Sequence, residues 1–372
     1  SPPDITEREI AEVVDTLRSG WITTGPKTKK FEDEIAKYCG TKKAVALNSA
    51  TAAMELALRL FDIGEGDEVI TSAYTYTASA SVIYHCGAKI ILADIKKGEF
   101  NIDPKEIEKL ITPRTKAIIP VDIAGFPVDY TEIFEVVEKK RNIFNAKKGT
   151  YQEKLGRILV LADSAHSFGS SYKGKKIGSV ADITSFSFHA IKNLTTAEGG
   201  ALTWNLPENF DNEEIYKELM LLALHGQNKD ALAKLKAGAW KYDIVMPGYK
   251  CNMTDIMASI GLAQLQRYDG EILKKKEELV SYYEKYLGDL TDKIELPIFK
   301  NDIKESCKHL YMIRLKNQDE EKRNEVIAKL GENDIATNVH FQPLPLLTAY
   351  KKLGFKIEDY PNAYNQYKNE IS

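Results

Sequence analysis

The sequence predicts an α/β protein with a mostly parallel sheet in a large domain and a smaller C-terminal α+β domain. Apolar runs at residues 90–94, 117–121 and 157–162 are separated by segments of helical periodicity, and this alternation is typical of parallel strands joined by right-handed crossovers. A chain of 372 residues is also long enough for two packed units. We place the boundary at a predicted long helix, which gives domains of residues 1–245 and 246–372.

Turn and capping residues place the individual elements in order. Thr6 or Asp4 caps the first amphipathic helix, and Gly40 ends the second. The predicted elements are helices at 5–17 and 31–39, a strand at 43–47 that leads into a helix, a strand at 68–72, a helix from about 77, an antiparallel strand at 201–204, a helix at 210–224, the long helix from 256 to about 287, strands at 294–296, 309–315 and 336–341, and a helix at 319–330.

Composition excludes several classes of protein. The 51 basic and 54 acidic residues give a net charge of −3, which leaves no basic excess for nucleic-acid binding. No run approaches the roughly 18 apolar residues of a membrane span, and the start of the chain lacks the pattern of a signal peptide. The four cysteines have no C-x-x-C spacing, so we expect neither a zinc site nor disulfides, and we expect a reducing cytoplasm.

The segment from Thr184 to Gly200, T-S-F-S-F-H-A-I-K-N-L-T-T-A-E-G-G, contains the central candidate residue of the chain. Phe186 and Phe188 alternate with serines, which predicts a short half-buried strand, and the turn-like run that follows carries Lys192. Burial beside apolar residues lowers the pKa of an amine and makes it a better nucleophile, as a Schiff base with an aldehyde cofactor requires. An ordinary surface lysine is the alternative.

A second motif, I-L-V-L-A-D-S-A-H-S-F-G from Ile158 to Gly169, supplies a partner for this amine. Its apolar run ends at Asp163, as expected for a buried parallel strand that delivers a carboxylate at its C-terminal end. Pyridoxal phosphate (PLP) needs such an anion at its ring nitrogen, so that the ring can accept electrons. A helix N-cap is the alternative for Asp163 alone, but a pair of Asp and Lys that both follow strands is more specific.

A phosphate site is predicted at the turn after the strand at 43–47. The segment N-S-A-T-A-A-M-E-L-A-L begins a helix there, and small residues at such a turn expose backbone N–H groups where the helix dipole is positive. Ser49, Ala50 and Thr51 are therefore candidate ligands of the cofactor phosphate. An ordinary Ser or Thr N-cap is the commoner structure, and the Lys192–Asp163 pair favours the phosphate.

These motifs resemble the nucleotide-sugar aminotransferases of the DegT/DnrJ/EryC1/StrS family. The resemblance rests on S-F-S-F-H-A-I-K-N with T-T-A-E-G-G and on A-D-S-A-H-S-F-G, and it spans nearly the whole chain. F-H-A-I-K-N and P-G-Y-K-C-N are most similar to the UDP-4-amino-4-deoxy-L-arabinose–oxoglutarate aminotransferase branch. The resemblance implies the fold-type-I architecture of PLP-dependent transferases, with a mostly parallel seven-stranded sheet in the large domain.

The resemblance implies four further cofactor contacts. Tyr76 would lie flat against the pyridine ring, where stacking contributes roughly 1 kcal/mol beyond burial. Ala165 is small enough to let the ring lie close on its opposite face, and His166 would reach the ring hydroxyl. Ser187 would add a hydroxyl at the phosphate. A structural histidine is the alternative for His166.

The resemblance also implies contacts with a nucleotide-sugar substrate. The W-I-T-T-G-P loop would border the substrate through Thr23, Thr24 and Gly25. His340, in N-V-H-F-Q-P-L-P, would lie near the substrate. The family's second histidine in that loop is Pro345 here, which puts one substrate contact in doubt.

A homodimer with shared active sites is implied as well. In most of the family an Asn stands at the position of Lys250 and donates to the cofactor phosphate of the other subunit. Lys250 is a cation at that position, as in the arabinose branch, and a cation suits a phosphate dianion. A site shared in this way implies an isologous dimer.

Two features depart from the family pattern. The basic segment 139–157 is longer than the usual helix-to-strand connection, and we expect it to be a solvated surface insertion. The chain has no initial Met and stops before an expected last helix. We therefore expect that these ends are not those of the full gene product.

The first hypothesis is a PLP-dependent aminotransferase that moves the amino group of glutamate to a nucleotide-linked keto-sugar, a UDP-4-keto sugar being favoured, for cell-surface polysaccharide or glycan biosynthesis. Lys192 would hold the cofactor and act as general base and acid. A 3-keto sugar or a cyclitol is an alternative acceptor. A PLP-dependent sugar dehydratase is disfavoured because the resembling dehydratases have His in place of the lysine. A binding protein without catalysis is disfavoured by the intact Lys192–Asp163 pair.

Overall fold

The computed structural model describes residues 3–228 and 241–372. The strands are β1 (Ala44–Leu47), β2 (Glu68–Ser72), β3 (Lys89–Ala93), β4 (Thr115–Ile119), β5 (Leu159–Asp163), β6 (Ser171–Tyr172), β7 (Lys175–Lys176), β8 (Ile183–Ser187), β9 (Gly200–Trp204), β10 (Ile294–Glu295), β11 (Lys304–Glu305), β12 (Ile313–Leu315) and β13 (Glu370–Ile371). The α-helices are α1 (Glu7–Ser19), α2 (Pro26–Cys39), α3 (Ala50–Leu60), α4 (Ala78–His85), α5 (Pro104–Leu110), α6 (Tyr130–Lys139), α7 (Tyr151–Leu155), α8 (Asn212–Ala223), α9 (Asp255–Gln266), α10 (Lys274–Leu287), α11 (Glu320–Gly331), α12 (Thr348–Lys352) and α13 (Pro361–Tyr367).

A seven-stranded sheet in the order β1-β9-β8-β5-β4-β2-β3 forms the centre of the molecule. The pairs β2–β3, β2–β4, β4–β5 and β5–β8 are parallel, whereas β9 is antiparallel to both β8 and β1. The predicted mostly parallel sheet is confirmed, as is the reversed strand at 201–204. Every strand but β9 points the same way, so the residues that follow β1, β5 and β8 meet at one edge of the sheet.

Strand β8 is buried on both faces. Phe186 and Ser185 are each 0% exposed, although their side chains alternate across the sheet. The Ser185 hydroxyl is satisfied because it donates to the carbonyl oxygen of Ala50 at 3.1 Å. The prediction of a half-buried strand is therefore wrong, since a serine with an internal acceptor can occupy a fully covered face.

The predicted long helix is interrupted. Helices α9 and α10 are separated by a π-helical turn at Tyr268–Leu273. Tyr268 is fully buried there, and its hydroxyl donates to the carbonyl oxygen of Phe168 at 2.6 Å. Sequence periodicity alone does not indicate this interruption, because the tertiary contact of Tyr268 is with a residue distant in the chain.

The C-terminal strands are shorter than predicted. β10, β12 and β13 form a small antiparallel sheet, but the predicted strand at 309–315 is regular only from Ile313, and no strand forms at 336–341. Residues 309–312 lie outside the ladder, and His309 contacts Asn193 instead. Asn338 instead exchanges backbone hydrogen bonds with Ser372. Buried residues of this part of the chain, including Leu344 and Tyr350, join the core of the central sheet.

The segment 139–157 is only partly a solvated insertion. It contains α7, and Gln152 is 1% exposed, with its Nε2 donating to the carbonyl oxygen of Phe61 at 2.9 Å. Leu155 is also buried. The expectation of a wholly solvated insertion is wrong because its second half packs on the end of α3 and satisfies backbone groups there.

Helix α1 is held to α9 by a buried ion pair, which allows a stability prediction. The Arg267 side chain is fully buried, and its Nε donates to Glu9 Oε1 at 2.7 Å. We expect Arg267→Met to lower the free energy of unfolding by about 3–5 kcal/mol, because the Glu9 carboxylate is left buried without its cation. The control Arg8→Met removes an exposed pair with Glu271 and should cost at most about 1 kcal/mol. Equal losses in urea titrations would contradict this prediction.

The same pair makes folding sensitive to acid. Burial alone would raise the pKa of Glu9, but hydrogen bonds from Thr6 and Arg267 outweigh it and lower this pKa to about 2. A lowered pKa contributes stability that is complete above the ordinary Glu pKa and is lost as the pH falls toward 2. We expect the stability of Glu9→Gln to vary less with pH in that interval than the stability of the wild type. Parallel acid dependences would contradict this expectation.

Within the ranges described, no helix is long and apolar enough to cross a membrane. The same part of the chain holds no group of three or more His, Cys, Asp or Glu residues placed to bind a metal ion.

Candidate active site

The candidate site lies at the edge of the central sheet where β1, β5 and β8 end. Asp163, the last residue of β5, is paired in register with Ser185 of β8. Ser185 in turn donates to Ala50, the first residue of α3. These contacts bring the Asp163 carboxylate, the start of α3 and the chain after β8 to one edge of the sheet.

Lys192 lies in the turn that follows β8. The strand ends at Ser187, so the lysine is beyond the strand rather than at its last residue, and its backbone N–H donates to the carbonyl oxygen of His189 at 2.9 Å. Burial lowers the pKa of Lys192 to about 8, although the charge of Asp163 acts in the opposite direction. The amine is therefore desolvated and electrostatically coupled to Asp163, and part of it is unprotonated near neutral pH.

Asp163 is a buried carboxylate with two protein donors. Ser79 Oγ donates to its Oδ2 at 2.7 Å, and the backbone N–H of Ala165 donates to its Oδ1 at 3.2 Å. Burial raises the pKa of Asp163 despite these hydrogen bonds and despite the charge of Lys192. A positively charged partner at this carboxylate would reverse that effect, because it stabilises the ionised form.

The start of α3 is open to a phosphate. Ser49 is its N-cap and accepts a hydrogen bond from the Ala52 N–H at 3.1 Å. The N–H groups of Ala50 and Thr51 lie in the first turn, where a helix offers no internal acceptor. A Cβ at Gly200 would lie 2.5 Å from the Ala50 nitrogen, so only glycine lets β9 approach this turn so closely.

Ser187, the last residue of β8, lies beside this predicted phosphate site. Its hydroxyl accepts a long hydrogen bond, 3.4 Å, from the backbone N–H of His189. The hydroxyl proton of Ser187 is therefore still free for another acceptor. The predicted phosphate site thus combines amide donors from α3 with a hydroxyl from β8.

Tyr76 and Ala165 lie on the chain that follows β2 and β5. Tyr76 is 62% exposed, and its ring centroid lies 6.0 Å from that of Phe341. An exposed aromatic ring can stack on a flat ligand. Ala165 is half-buried and donates its N–H to Asp163, so its small side chain lies directly beside the carboxylate.

His166 is buried, and its proton position follows from its contacts. The Ala124 N–H donates to His166 Nδ1 at 3.3 Å. Burial and the charges of Lys192 and two other histidines hold the pKa of His166 well below 6.5. The neutral ring that accepts at Nδ1 carries its proton on Nε2, so His166 is a donor at that atom.

The predicted substrate loop is tied to the chain near Lys250. Thr24 is buried, and its hydroxyl donates to the carbonyl oxygen of Met253 at 2.5 Å. The Gly25 N–H donates to Asp255 Oδ1 at 2.8 Å, whereas Thr23 is exposed. Of the three predicted contacts, the Thr23 side chain is therefore the most accessible to a ligand.

Lys250 is exposed and lies next to this loop. Its Nζ donates to the side-chain oxygen of Asn252, and Asn252 donates to the Thr24 hydroxyl at 2.5 Å. The carbonyl oxygen of Cys251 accepts from the Asn48 N–H at 2.8 Å. The Lys250 segment therefore lies beside the Asn48 turn of its own chain.

His340 is half-buried in the loop before α12. Its Nδ1 lies 2.5 Å from Ser372 Oγ, and its N–H donates to Glu370 Oε2 at 2.9 Å. Burial and the charge of Lys192 lower the pKa of His340. Phe341, the next residue, stacks on His166 with ring centroids 5.7 Å apart, so the loop of His340 lies beside the predicted cofactor contacts.

Several residues at the site were not predicted from the sequence. Ser79 bonds Asp163, and His309 packs on His166 with ring centroids 4.5 Å apart. His309 also contacts the side chain of Asn193. No local pattern marks these residues, because each reaches the site through a contact distant in sequence.

The assembled groups fit an aldehyde cofactor that carries a phosphate. Lys192 supplies a desolvated amine, and Asp163 supplies a buried carboxylate that gains from a cationic partner. First-turn amides of α3 and the Ser187 hydroxyl supply phosphate donors. The chemistry of this donor set therefore matches the requirements of PLP.

Comparisons with known proteins agree with this chemistry. A sequence profile of the DegT/DnrJ/EryC1/StrS aminotransferase family matches residues 3–372. The spore coat polysaccharide biosynthesis protein SpsC of Bacillus subtilis is 41% identical, over 100% of this chain and 90% of that protein. The UDP-4-amino-4-deoxy-L-arabinose–oxoglutarate aminotransferase of Shewanella sediminis is 38% identical, over 91% of this chain and 82% of that protein.

A solved structure is similar throughout the chain. Spr1654 of Streptococcus pneumoniae, a candidate sugar aminotransferase solved in its PMP form, is 54% identical, with a TM-score of 0.96. The match covers 100% of this chain and 92% of that one. The same protein has also been solved in a PLP form.

Proposed function

The chain belongs to the DegT/DnrJ/EryC1/StrS aminotransferase family, a family of PLP-dependent enzymes, and from this premise we propose that it transfers the amino group of glutamate to a 4-keto sugar carried by UDP. The observation that carries the proposal is the desolvated Lys192 amine coupled to the buried Asp163 carboxylate at one edge of the sheet. The name of the Shewanella relative supports the substrates, since it pairs a UDP-linked 4-amino sugar with oxoglutarate. The name of SpsC supports a place in polysaccharide biosynthesis.

Each predicted cofactor ligand has a specific task in this proposal. Lys192 would hold the cofactor aldehyde, and Asp163 would hold the pyridine nitrogen in its protonated form. Bound PLP supplies an electron sink for the carbanion of the substrate. The N–H groups of Ala50 and Thr51 and the hydroxyls of Ser49 and Ser187 would bind the phosphate and so orient the cofactor.

The remaining cofactor contacts would fix the plane of the ring. The Nε2 proton of His166 would be donated to the ring hydroxyl oxygen, which agrees with the tautomer set by Ala124. Tyr76 would cover one face of the ring, and Ala165 would leave room on the other. A ring held on both faces keeps the reacting carbon at a constant distance from the lysine.

Lys192 would also move the proton. Its Nζ would take the proton from the α-carbon of glutamate and would return a proton in the second half of the reaction. A pKa of about 8 suits both tasks, because a general base and acid works best when its pKa is near the operating pH.

Thr23, Thr24 and Gly25 would border the sugar nucleotide, mainly through the exposed Thr23 and the backbone of the loop. His340 would also contact the sugar. Its lowered pKa keeps it neutral near pH 7, so it would act as a hydrogen-bonding group and not as a cation.

We further propose a homodimer in which Lys250 binds the cofactor phosphate of the partner subunit. Ile244, Val245 and Tyr249, close to Lys250 in sequence, are 39–53% exposed in the single chain, and clustered exposed apolar residues are typical of an interface. Light scattering should give the mass of a dimer at assay concentrations. A monomer that is fully active would contradict the shared site.

The substrate proposal is tested with a panel of 3-keto and 4-keto sugars on UDP, dTDP and GDP, together with a keto-cyclitol. Isotope-labelled glutamate serves as the donor, and mass spectrometry follows the label into the product. We expect the UDP-4-keto sugar to give the highest kcat/KM. Preference for a 3-keto sugar or a cyclitol would overturn the substrate, and loss of a hydroxyl without transfer of label would overturn the aminotransferase reaction.

A further inference from the structure

The side chain of Asn193, next to Lys192, is held on both sides by one distant segment. Its Nδ2 donates to the carbonyl oxygen of Cys307 at 2.8 Å. Its Oδ1 lies 3.0 Å from Nδ1 of His309. Two atoms of the Cys307–His309 segment therefore form hydrogen bonds with a single side chain in the Lys192 turn.

The proton positions in this arrangement follow from donor and acceptor chemistry. A backbone carbonyl can only accept, so the amide nitrogen of Asn193 must face Cys307 and its oxygen must face His309. An amide oxygen can only accept, so His309 Nδ1 must carry the proton. Burial, together with the charges of Lys192, Lys276 and His340, holds the pKa of His309 well below 6.5. His309 is therefore a neutral imidazole protonated at Nδ1.

The Cys307–His309 segment is itself firmly anchored. The Cys307 N–H donates to Ser170 Oγ at 2.9 Å, and its Sγ donates to the carbonyl oxygen of His166 at 2.9 Å. Lys308, between the two gripping residues, has φ = +58°. A left-handed conformation is costly for a residue with a side chain and persists only where its surroundings impose it. Here it allows the Cys307 carbonyl and the His309 ring to face the same amide.

We propose that the Cys307–His309 segment is a clamp that positions the Lys192 turn through Asn193, and that the Nδ1–H of His309 is the positioning group for the Lys192 amine. The inference deepens the proposed function, because it concerns the residue that would hold the cofactor. His309 acts through Asn193 and is a positioning residue, not a catalytic one.

The clamp would affect the pKa of Lys192, because that pKa depends on the partial removal of the amine from water. The titratable groups that interact with the Lys192 amine are Asp163, His166, Cys307, His309 and His340. Of these, Asp163 is the one carboxylate, and the others are neutral near pH 7. If the turn were released, the amine would gain solvent and its pKa would return toward 10.5, the ordinary value for lysine.

The test compares His309→Asn with His309→Leu. The two replacements have the same branched shape, and both remove the ring contact with His166. Only the Asn side chain can return an N–H donor near the position of Nδ1. The readout is the rate of acylation of Lys192 by acetic anhydride in cofactor-free protein, followed over pH by peptide mass spectrometry, with Lys116, whose pKa is also lowered by burial, as the internal reference.

We expect the midpoint for Lys192 to lie near 8 in the wild type and to stay near that value in His309→Asn. In His309→Leu it should rise by about one unit or more, which is an approximately tenfold loss of free amine at neutral pH. Lys116 should titrate alike in all three proteins. Equal midpoints for the Asn and Leu variants would overturn the proposal.

One further variant provides a second test if His309→Leu does not fold. If His309→Leu does not fold, Asn193→Ala replaces it and should show the same rise, because it removes the gripped side chain. An unchanged midpoint in folded Asn193→Ala also overturns the clamp. The acylation measurements use neither cofactor nor substrate, so a wild-type protein that fails in the substrate panel would contradict the proposed function and leave this test intact.

Discussion

Lys192→Ala is expected to abolish transamination, with a fall in kcat of about 10³-fold or more, because one side chain would lose both its roles. It would no longer hold the cofactor, and the proton transfer that a positioned base accelerates by about 10²–10⁴-fold would be lost. The desolvated environment of Lys192, with its pKa lowered to about 8, is the structural reason. Stopped-flow spectroscopy with glutamate alone measures this step without any assumption about the sugar.

Two controls separate this effect from a change in charge or in surface. Lys192→Arg keeps a cation but has no nucleophilic amine, so we expect it to be as inactive as Lys192→Ala. Lys175→Ala removes an exposed lysine of β7 and should leave the rate unchanged. After borohydride reduction, intact mass should show covalently retained cofactor in the wild type and in Lys175→Ala alone. Retention of cofactor by Lys192→Ala would show that another residue holds it.

Asp163→Asn is expected to lower kcat by about 10²–10³-fold, a loss comparable to the removal of one preorganised electrostatic group from an active site. The replacement keeps the size of the side chain and can keep the hydrogen bond from Ser79, but it removes the negative charge that would hold the ring nitrogen protonated. Bound cofactor should remain detectable because Lys192 is unchanged. Single-turnover rates with saturating glutamate measure the loss.

Although the activity of Asp163→Asn should fall, the stability of its cofactor-free form should increase. Burial raises the pKa of Asp163, so the charged carboxylate disfavours the folded state at pH values above that raised pKa. The wild type should lose stability as the pH rises through the raised pKa of Asp163, whereas Asp163→Asn should not. At neutral pH the variant should therefore unfold at a higher temperature than the wild type, and the difference should vanish in acid. A variant that loses both activity and stability would contradict this electrostatic role.

The parallel sheet and the functional groups at its edge were predictable from local patterns. The apolar run that ends at Asp163 and the Asn, Thr and Gly residues around Lys192 are properties of consecutive residues. Backbone sterics and burial make such patterns strands and turns in almost any context. The strand at 201–204 was also predicted, with a direction opposite to that of β8.

Long-range packing accounts for the predictions that were wrong. The π-turn at Tyr268 depends on the carbonyl oxygen of Phe168, and the packed half of the 139–157 segment depends on Phe61. Ser185 is fully buried because Ala50 offers an acceptor. Periodicity within one segment contains no information about a partner a hundred residues away.

Residue types and their spacing specify which chemical groups this protein can bring to a site: one lysine after a strand, one carboxylate at the end of another, and a helix start that can bind an anion. Those groups are specified locally, because residue type and spacing decide what a strand end or a turn presents. Their pKa values and proton positions, from the partial burial of Lys192 to the tautomer of His309, arise only in the folded chain. Burial and hydrogen bonding depend on every element that packs around a group, and the chain must fold before those elements meet.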